Sequence, residues 1–298
     1  MDFKRILITL CLLLFSSWIY SLPEPDGNLG IALVHGTKDH RDDAEGGYWK
    51  TDFIQSLIQA LPNPENYYVV HCDFSKYMWD EDAAGCTADQ LLNFIADKKI
   101  SSLIVYTHSN GANVIRWILS NPTYDSRYLQ LKNKIDQVIA LAPSSGGTPL
   151  ADALLNGGVF EASLSWLLGY TGDAIKQQRV GDMYIYNEEL LFGTKSRPTL
   201  PKPFKAVIGT DVIASPLNSS SYCNGYILNS GLKIAKLYLD SCADGFLNCS
   251  SQTVAGTIWF YDKDKLEDHL TLSHNQSRHS CFGLEKILTS VIDSEGAA

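Results

Sequence analysis

The stretch Ser102-Leu103-Ile104-Val105-Tyr106-Thr107-His108-Ser109-Asn110-Gly111-Ala112-Asn113-Val114-Ile115 decides the fold. Residues 102–107 form a short apolar, β-branched run whose length suits a strand buried on both faces. From Gly111 to Ser120 the apolar residues return at helical spacing, until Asn121-Pro122 stops them. The same strand–helix alternation extends in both directions. Leu29–Val34, Tyr67–Cys72, Gln137–Leu141, Phe204–Gly209 and Thr257–Tyr261 read as strands. Asp52–Ala60, Thr87–Lys98, most of 151–195 and Leu284–Ile292 read as helices, with Thr87 and Gln90 in a capping-box spacing. Strands separated by single helices cannot pair as hairpins; they make a mostly parallel sheet with helices on both faces, an α/β fold. Ligands of such sheets bind beyond the carboxyl ends of the strands, so chemistry is expected there. No repeat, Pro-rich linker or charge block divides the chain, which favours one domain over 22–298.

Thr107-His108-Ser109-Asn110-Gly111 has the strand–turn–helix setting of a nucleophile elbow. So tight a turn needs small residues two positions either side of the serine. Gly111 satisfies one side, and Thr107 stands where glycine is usual on the other. A serine hydroxyl attacks only once a base takes its proton, and the elbow lifts it clear of the sheet. His35-Gly36-Thr37 ends the first strand. Acyl transfer builds negative charge on a carbonyl oxygen, and two waiting backbone N–H groups are expected from Asn110 and Thr37. His35 itself reads as a core histidine.

On these residues the chain resembles the α/β-hydrolases, and more narrowly the secreted bacterial triacylglycerol lipases. The resemblance covers most of the chain after the leader. His35-Gly36 is similar to their oxyanion loop and Gly47-Tyr48-Trp49 to the segment after it. Ala142-Pro143-Ser144-Ser145-Gly146-Gly147-Thr148 is similar to the stretch after their next strand. Asp244-Gly245-Phe246-Leu247-Asn248-Cys249 resembles their acid loop and Leu272-Ser273-His274-Asn275 their histidine loop. The resemblance implies a triad of Ser109 as nucleophile, His274 as base then acid, and Asp244 as the carboxylate that orients the imidazole. His279, five residues beyond His274, and Asp211, just after a strand, are the alternatives. It implies hydrolysis of carboxylic esters, with a lipid acyl ester or other ester as substrate and transient contact with a lipid interface. A phospholipase or acyltransferase on the same scaffold, or a catalytically silent binding protein, are the other readings. Those lipases hold a structural calcium ion with a carboxylate two residues after the histidine. Here Gln276, a neutral amide, stands there, and a hard cation prefers charged oxygens, so neither a metal nor any other cofactor is expected. The family also has a disulfide near the acid loop, with Cys249 matching one end and Cys223 or Cys242 as its partner. The apolar stretch Val159–Leu168, within 151–195, resembles a lid.

The N-terminus bears on the compartment. Lys4 and Arg5 precede the apolar run Ile6–Phe15, and small residues lead to Ser21. This is the pattern of a secretory signal peptide over 1–21, too short to span a bilayer of ~30 Å. The protein is therefore expected to be secreted or periplasmic. Of 7 cysteines, Cys11 would leave with the leader, and the remaining six would suit up to three disulfides, Cys72 and Cys86 lying close enough in sequence to pair locally. With 24 Lys+Arg against 33 Asp+Glu the chain is acidic, which argues against nucleic acid as a partner. His40 and His269 read as surface residues, Asp262, Asp264 and Asp268 as a solvated charged face, and the acidic loop Asp39–Glu45 as a rim of the site. Segment 214–252 is rich in Ser, Asn and Cys and shows no period; its length calls for a staple or a function.

Overall fold

The computed structural model describes residues 28–156 and 172–296. The signal-peptide segment and the lid-like stretch 159–168 lie outside these residues. Among the described residues there are eight strands: β1 Leu29–Val34, β2 Lys38–Asp39, β3 Tyr67–Val69, β4 Asp73–Phe74, β5 Ser102–His108, β6 Ile135–Leu141, β7 Phe204–Ile208 and β8 Thr257–Tyr261. Six form one sheet in the order β3-β1-β5-β6-β7-β8, and every neighbouring pair is parallel. The two-residue strands β2 and β4 pair separately and antiparallel.

The strict alternation of side chains along a strand explains why central strands read as continuous apolar runs. Ala32, Val34, Leu103, Val105, Val138 and Ala140 face one layer of the core. There they meet the helices Cys86–Lys98, Gly111–Ser120 and Ser126–Lys134 through Leu91, Phe94, Ile115, Ile118 and Leu131. Ile31, Leu33, Ile104, Tyr106, Ile139 and Leu141 face the other layer. That layer is closed by Phe53, Ile54 and Leu57 of the helix Thr51–Ile58 and by Leu284, Leu288 and Ile292 of the helix Leu284–Gly296. Burying one such aliphatic side chain contributes roughly 1.5–3 kcal/mol, so neither face of the sheet can be left uncovered.

Chain order reverses between β1 and β5. From β1 the chain goes out to β3 and then returns past it to β5. Val34 therefore lies in register beside Thr107, and the loops that follow these two strands leave the same edge of the crevice.

Several local features depart from the sequence reading. Thr87 does not cap its helix: the turn Glu81–Gly85 is π-helical and runs straight into Cys86–Lys98, so the Thr87 hydroxyl donates to the Ala83 carbonyl at 2.8 Å. Asp80 caps that segment instead, accepting from the Asp82 N–H. The unread helix Ser126–Lys134 is capped by Asp125. Segment 214–252 contains the helix Tyr226–Ala235, which turns Asn229, Leu232 and Ala235 inward. Its neighbourhood is stapled by two of the three disulfides among the described residues, Cys223–Cys281 and Cys242–Cys249; the third joins Cys72 to Cys86.

Candidate active site

Ser109 follows β5 with a φ of +53°, a left-handed conformation that a non-glycine residue adopts only when its surroundings impose it. Here they do. The Ser109 N–H donates to the Leu141 carbonyl at 3.0 Å, and the Ser109 carbonyl accepts from Ala112 and Ser144. Gly111 must be a glycine, because a Cβ there would collide with the His35 carbonyl oxygen of the adjoining loop. Gly36 approaches from the other side: a Cβ would lie 3.1 Å from that of Ser109 and would overlap the Tyr48 hydroxyl. Thr107, at the unusual position, is fully buried within the strand and leaves the turn intact.

The loops after β7 and β8 bring a carboxylate and an imidazole to this serine. His274 Nε2 lies 3.0 Å from Ser109 Oγ, and His274 Nδ1 lies 2.8 Å from Asp244 Oδ2. Asp244 is completely buried. Its Oδ1 accepts from the N–H groups of Phe246 and Leu247 at 2.9 and 2.7 Å, and its own carbonyl accepts from the His274 N–H at 2.8 Å. The Cys242–Cys249 disulfide closes the loop around it, with the Cys249 N–H donating to the Cys242 carbonyl. A carboxylate held this way accepts the Nδ1 proton, so Nε2 is left as an acceptor for the serine hydroxyl. In chemical terms a hydroxyl is presented to an imidazole nitrogen whose ring is oriented by a buried carboxyl group.

The alternatives are placed elsewhere. His279 is buried, its Nε2 has no partner among the described residues, and burial pushes its pKa down to about 2. Asp211 is paired with Lys236 at 2.6 Å and Lys233 at 3.4 Å. Asp262 corrects the sequence reading. It is not part of a solvated face but fully buried, and it accepts from the N–H groups of Thr210 and Leu272 and from the Thr210 hydroxyl, tying the ends of β7 and β8 to the histidine loop. Burial pushes its pKa up. Asp264, Asp268 and His269 are exposed, as read. His40 is half-buried: its ring packs against His35 and Tyr48 and contacts the exposed Asp43.

Thr37 and Asn110 flank Ser109 on the loop after β1 and at the start of the helix Gly111–Ser120. Neither backbone N–H has a hydrogen-bond partner among the described residues. That of Asn110 adds to the partial positive charge of the helix N-terminus. His35 is stacked on Phe74 in the core, its pKa lowered to about 3 by burial.

Two contacts here had no sequence signal beyond adjacency. His108, directly before the serine, accepts from the Tyr48 hydroxyl through Nδ1 and donates through Nε2 to the His274 carbonyl at 2.8 Å. Burial, then the proximity of His274, holds its pKa well below the ordinary histidine value. Arg278 lies over the Tyr48 ring at 4.0 Å. Gln276 has both ends of its amide committed, to the Ser273 N–H and to the carbonyls of Ser220 and Cys223. It thus acts as a brace of the histidine loop and offers no charged oxygen to a calcium ion. Among the described residues no three His, Cys, Asp or Glu side chains converge as metal ligands. A groove of about 1510 Å³ lined by Tyr184, Leu200, Phe204 and Val254 includes none of Ser109, Asp244 and His274.

Sheet order, a serine at the turn after β5, and a carboxylate and histidine on the loops after β7 and β8 define the α/β-hydrolase fold. No protein-family model and no curated protein sequence matches the chain. Solved structures do. Lipase BlEst2 of Bacillus licheniformis in its mature form is similar over 91% of this chain and 94% of its own, with a TM-score of 0.64 at 16% identity. Lipase 1 of Pelosinus fermentans is similar over 91% and 99%, with a TM-score of 0.55 at 13% identity. The metagenomic carboxyl esterase MGS0156 is similar over 91% and 76%, with a TM-score of 0.50 at 14% identity. At such identities the likeness is one of fold.

Proposed function

We propose that the protein is an exported serine hydrolase of carboxylic esters, acting on lipid acyl esters. The observation that carries this reading is the unbroken chain of hydrogen bonds from Ser109 through His274 to the buried Asp244. Ser109 attacks the ester carbonyl as His274 takes its proton, and Asp244 stabilises the imidazolium that forms. The N–H groups of Thr37 and Asn110 receive the oxyanion. Collapse expels the alcohol, which takes the proton back from His274, and leaves an acyl-enzyme. Water activated by His274 then releases the acid and restores the serine. No metal or other cofactor enters the reaction. Three disulfides fit an oxidising compartment and so support export. The one domain spans 22–298, with the lid in the stretch 159–168 of segment 151–195.

The test is hydrolysis of p-nitrophenyl esters of graded chain length beside the Ser109→Ala variant. The expectation is activity in the parent that falls by at least about 10³-fold in the variant. Equal rates in the two proteins would refute the assignment. A head-group panel distinguishes simple esters from phospholipids, and added alcohol acceptors expose acyl transfer. A folded protein whose Ser109 resists a fluorophosphonate would be a binding protein instead.

A further inference from the structure

The backbone donors proposed for the oxyanion belong to two separate loops, one after β1 and one after β5. A pair of consecutive glutamines lies against both loops. Gln177 ends the helix Asp173–Gln177 and Gln178 caps it, and both are buried, at 0% and 1% exposure. The direction of the hydrogen bonds from Gln177 follows from groups that have no alternative. The Met78 N–H can only donate, so Gln177 Oε1 accepts it at 2.6 Å and Gln177 Nε2 is left to donate to Asn110 Oδ1 at 3.0 Å. Asn113 Nδ2 donates to the Ser144 carbonyl, and donates to the same Asn110 oxygen at 3.2 Å. Asn110 is thus held on two donors. Gln178 Nε2 donates to Thr37 Oγ1 at 2.7 Å, while the Gln178 backbone carbonyl accepts from the Thr148 N–H at 2.8 Å.

The geometry points to Gln177 and Gln178 as positioning residues that clasp the two oxyanion-donating loops together. The inference rests on the acyl-transfer reading above and adds to it a source for the spacing of the two donors. Consecutive Cα atoms are ~3.8 Å apart and cannot separate, so Thr37 and Asn110 are tied to two points of fixed spacing. Oxyanion donors work only when aimed where charge develops, and a small misplacement costs rate and not ground-state affinity. No part of either glutamine need touch the substrate.

The test uses Gln178→Met and Gln177→Met, which keep side-chain length and remove the hydrogen bonds, with Ser109→Ala in the same assay. The expected result is a fall in kcat of roughly 10–100-fold with KM held within about twofold. Affinity for a boronic acid, which mimics the tetrahedral intermediate, should fall in parallel while that for the product acid does not. Where Gln178→Met does not fold, Thr37→Val cuts the same contact from the other end. In a double-mutant cycle the two changes should cost together about what either costs alone. A folded Gln178→Met with kcat within about threefold of the parent, a loss confined to KM, or additive effects in the cycle would each overturn the clasp. If Ser109→Ala hydrolyses as fast as the parent, it is the reaction itself that fails, and the clasp falls with it; the two failures are therefore told apart.

Discussion

Three histidines buried in the neutral form should make the protein lose stability as the pH falls from 7 to 5.5. His35, His108 and His279 are between 0% and 5% exposed. Burial is the leading cause of a lowered pKa in each, to about 3 for His35 and about 2 for His279, with His108 also well below 6.5. A base whose folded pKa is depressed contributes stability that is present above its unfolded pKa and lost as the pH falls below it. The unfolded chain binds protons near pH 6.5 while the folded chain does not. Between pH 7 and pH 5.5 each such histidine costs about 1.3 kcal/mol, and three together cost about 4 kcal/mol. His40, also lowered, acts in the same direction, and Asp262, whose pKa is raised, acts in the opposite one. Against a typical stability of about 5–15 kcal/mol the effect is large. Urea unfolding with the disulfides intact, followed by circular dichroism at the two pH values, measures it directly. His279→Gln should remove about a third of the pH dependence. A loss below about 1 kcal/mol between the two pH values would show that the three rings are not held neutral, and the account would be wrong.

Other changes separate roles that lie close together. Asp244→Asn should lower kcat by about 10⁴-fold, since the imidazole loses both its tautomer and its counter-charge, and Asp211→Asn should leave kcat unchanged and stability within about 0.5 kcal/mol; steady-state kinetics on the two variants decides between the two carboxylates. Asp262→Asn keeps one oxygen for the Thr210 and Leu272 N–H groups, which both donate to Oδ2, and turns an NH2 group toward the Lys263 N–H, which loses its acceptor at Oδ1. A stability loss of about 2–4 kcal/mol is expected by denaturant titration. Gly111→Ala drives a methyl group into the His35 carbonyl. It should destabilise by at least about 1–3 kcal/mol in the same titration and abolish labelling of Ser109 by a fluorophosphonate. Loop-closure entropy ranks the disulfides: breaking Cys223–Cys281, with a separation of 58, should cost about 4 kcal/mol, and breaking Cys242–Cys249, with a separation of 7, about 2 kcal/mol. The order should reverse for activity, because the short bridge encloses Asp244; paired Cys→Ala variants assayed for melting and for ester hydrolysis test both rankings.

The sheet could be read from the chain because each central strand must fill two apolar layers. β1, β5 and β6 carry that demand in consecutive residues, and β8 matched the reading from Thr257 to Tyr261. The serine turn was equally legible, since a sharp change from strand to helix leaves few choices at Ser109 and Gly111. Elements whose partners are distant were not. Thr87 had the spacing of a cap, but a preceding π-helical turn gave its hydroxyl the Ala83 carbonyl instead. The helix Tyr226–Ala235 exposes Ile227 and Ile234, so its apolar residues do not mark one face. Asp262 sits among Lys263, Asp264 and Lys265, and nothing local reveals that its carboxylate turns inward.

Reactive groups and supporting groups differ in the same way. A nucleophile, base and carboxylate can be supplied by few residue types, at few points along an α/β sheet, so the sequence alone leaves few candidates. A clasp on the oxyanion loops can be made by any buried donor of the right reach. Gln177 and Gln178 meet Asn110 and Thr37 across 67 and 141 residues of sequence. A pair of adjacent glutamines carries no spacing rule that would announce this. Residues that do the chemistry are constrained by the reaction, whereas residues that aim it are constrained only by the packing around them, and that packing becomes visible only in three dimensions.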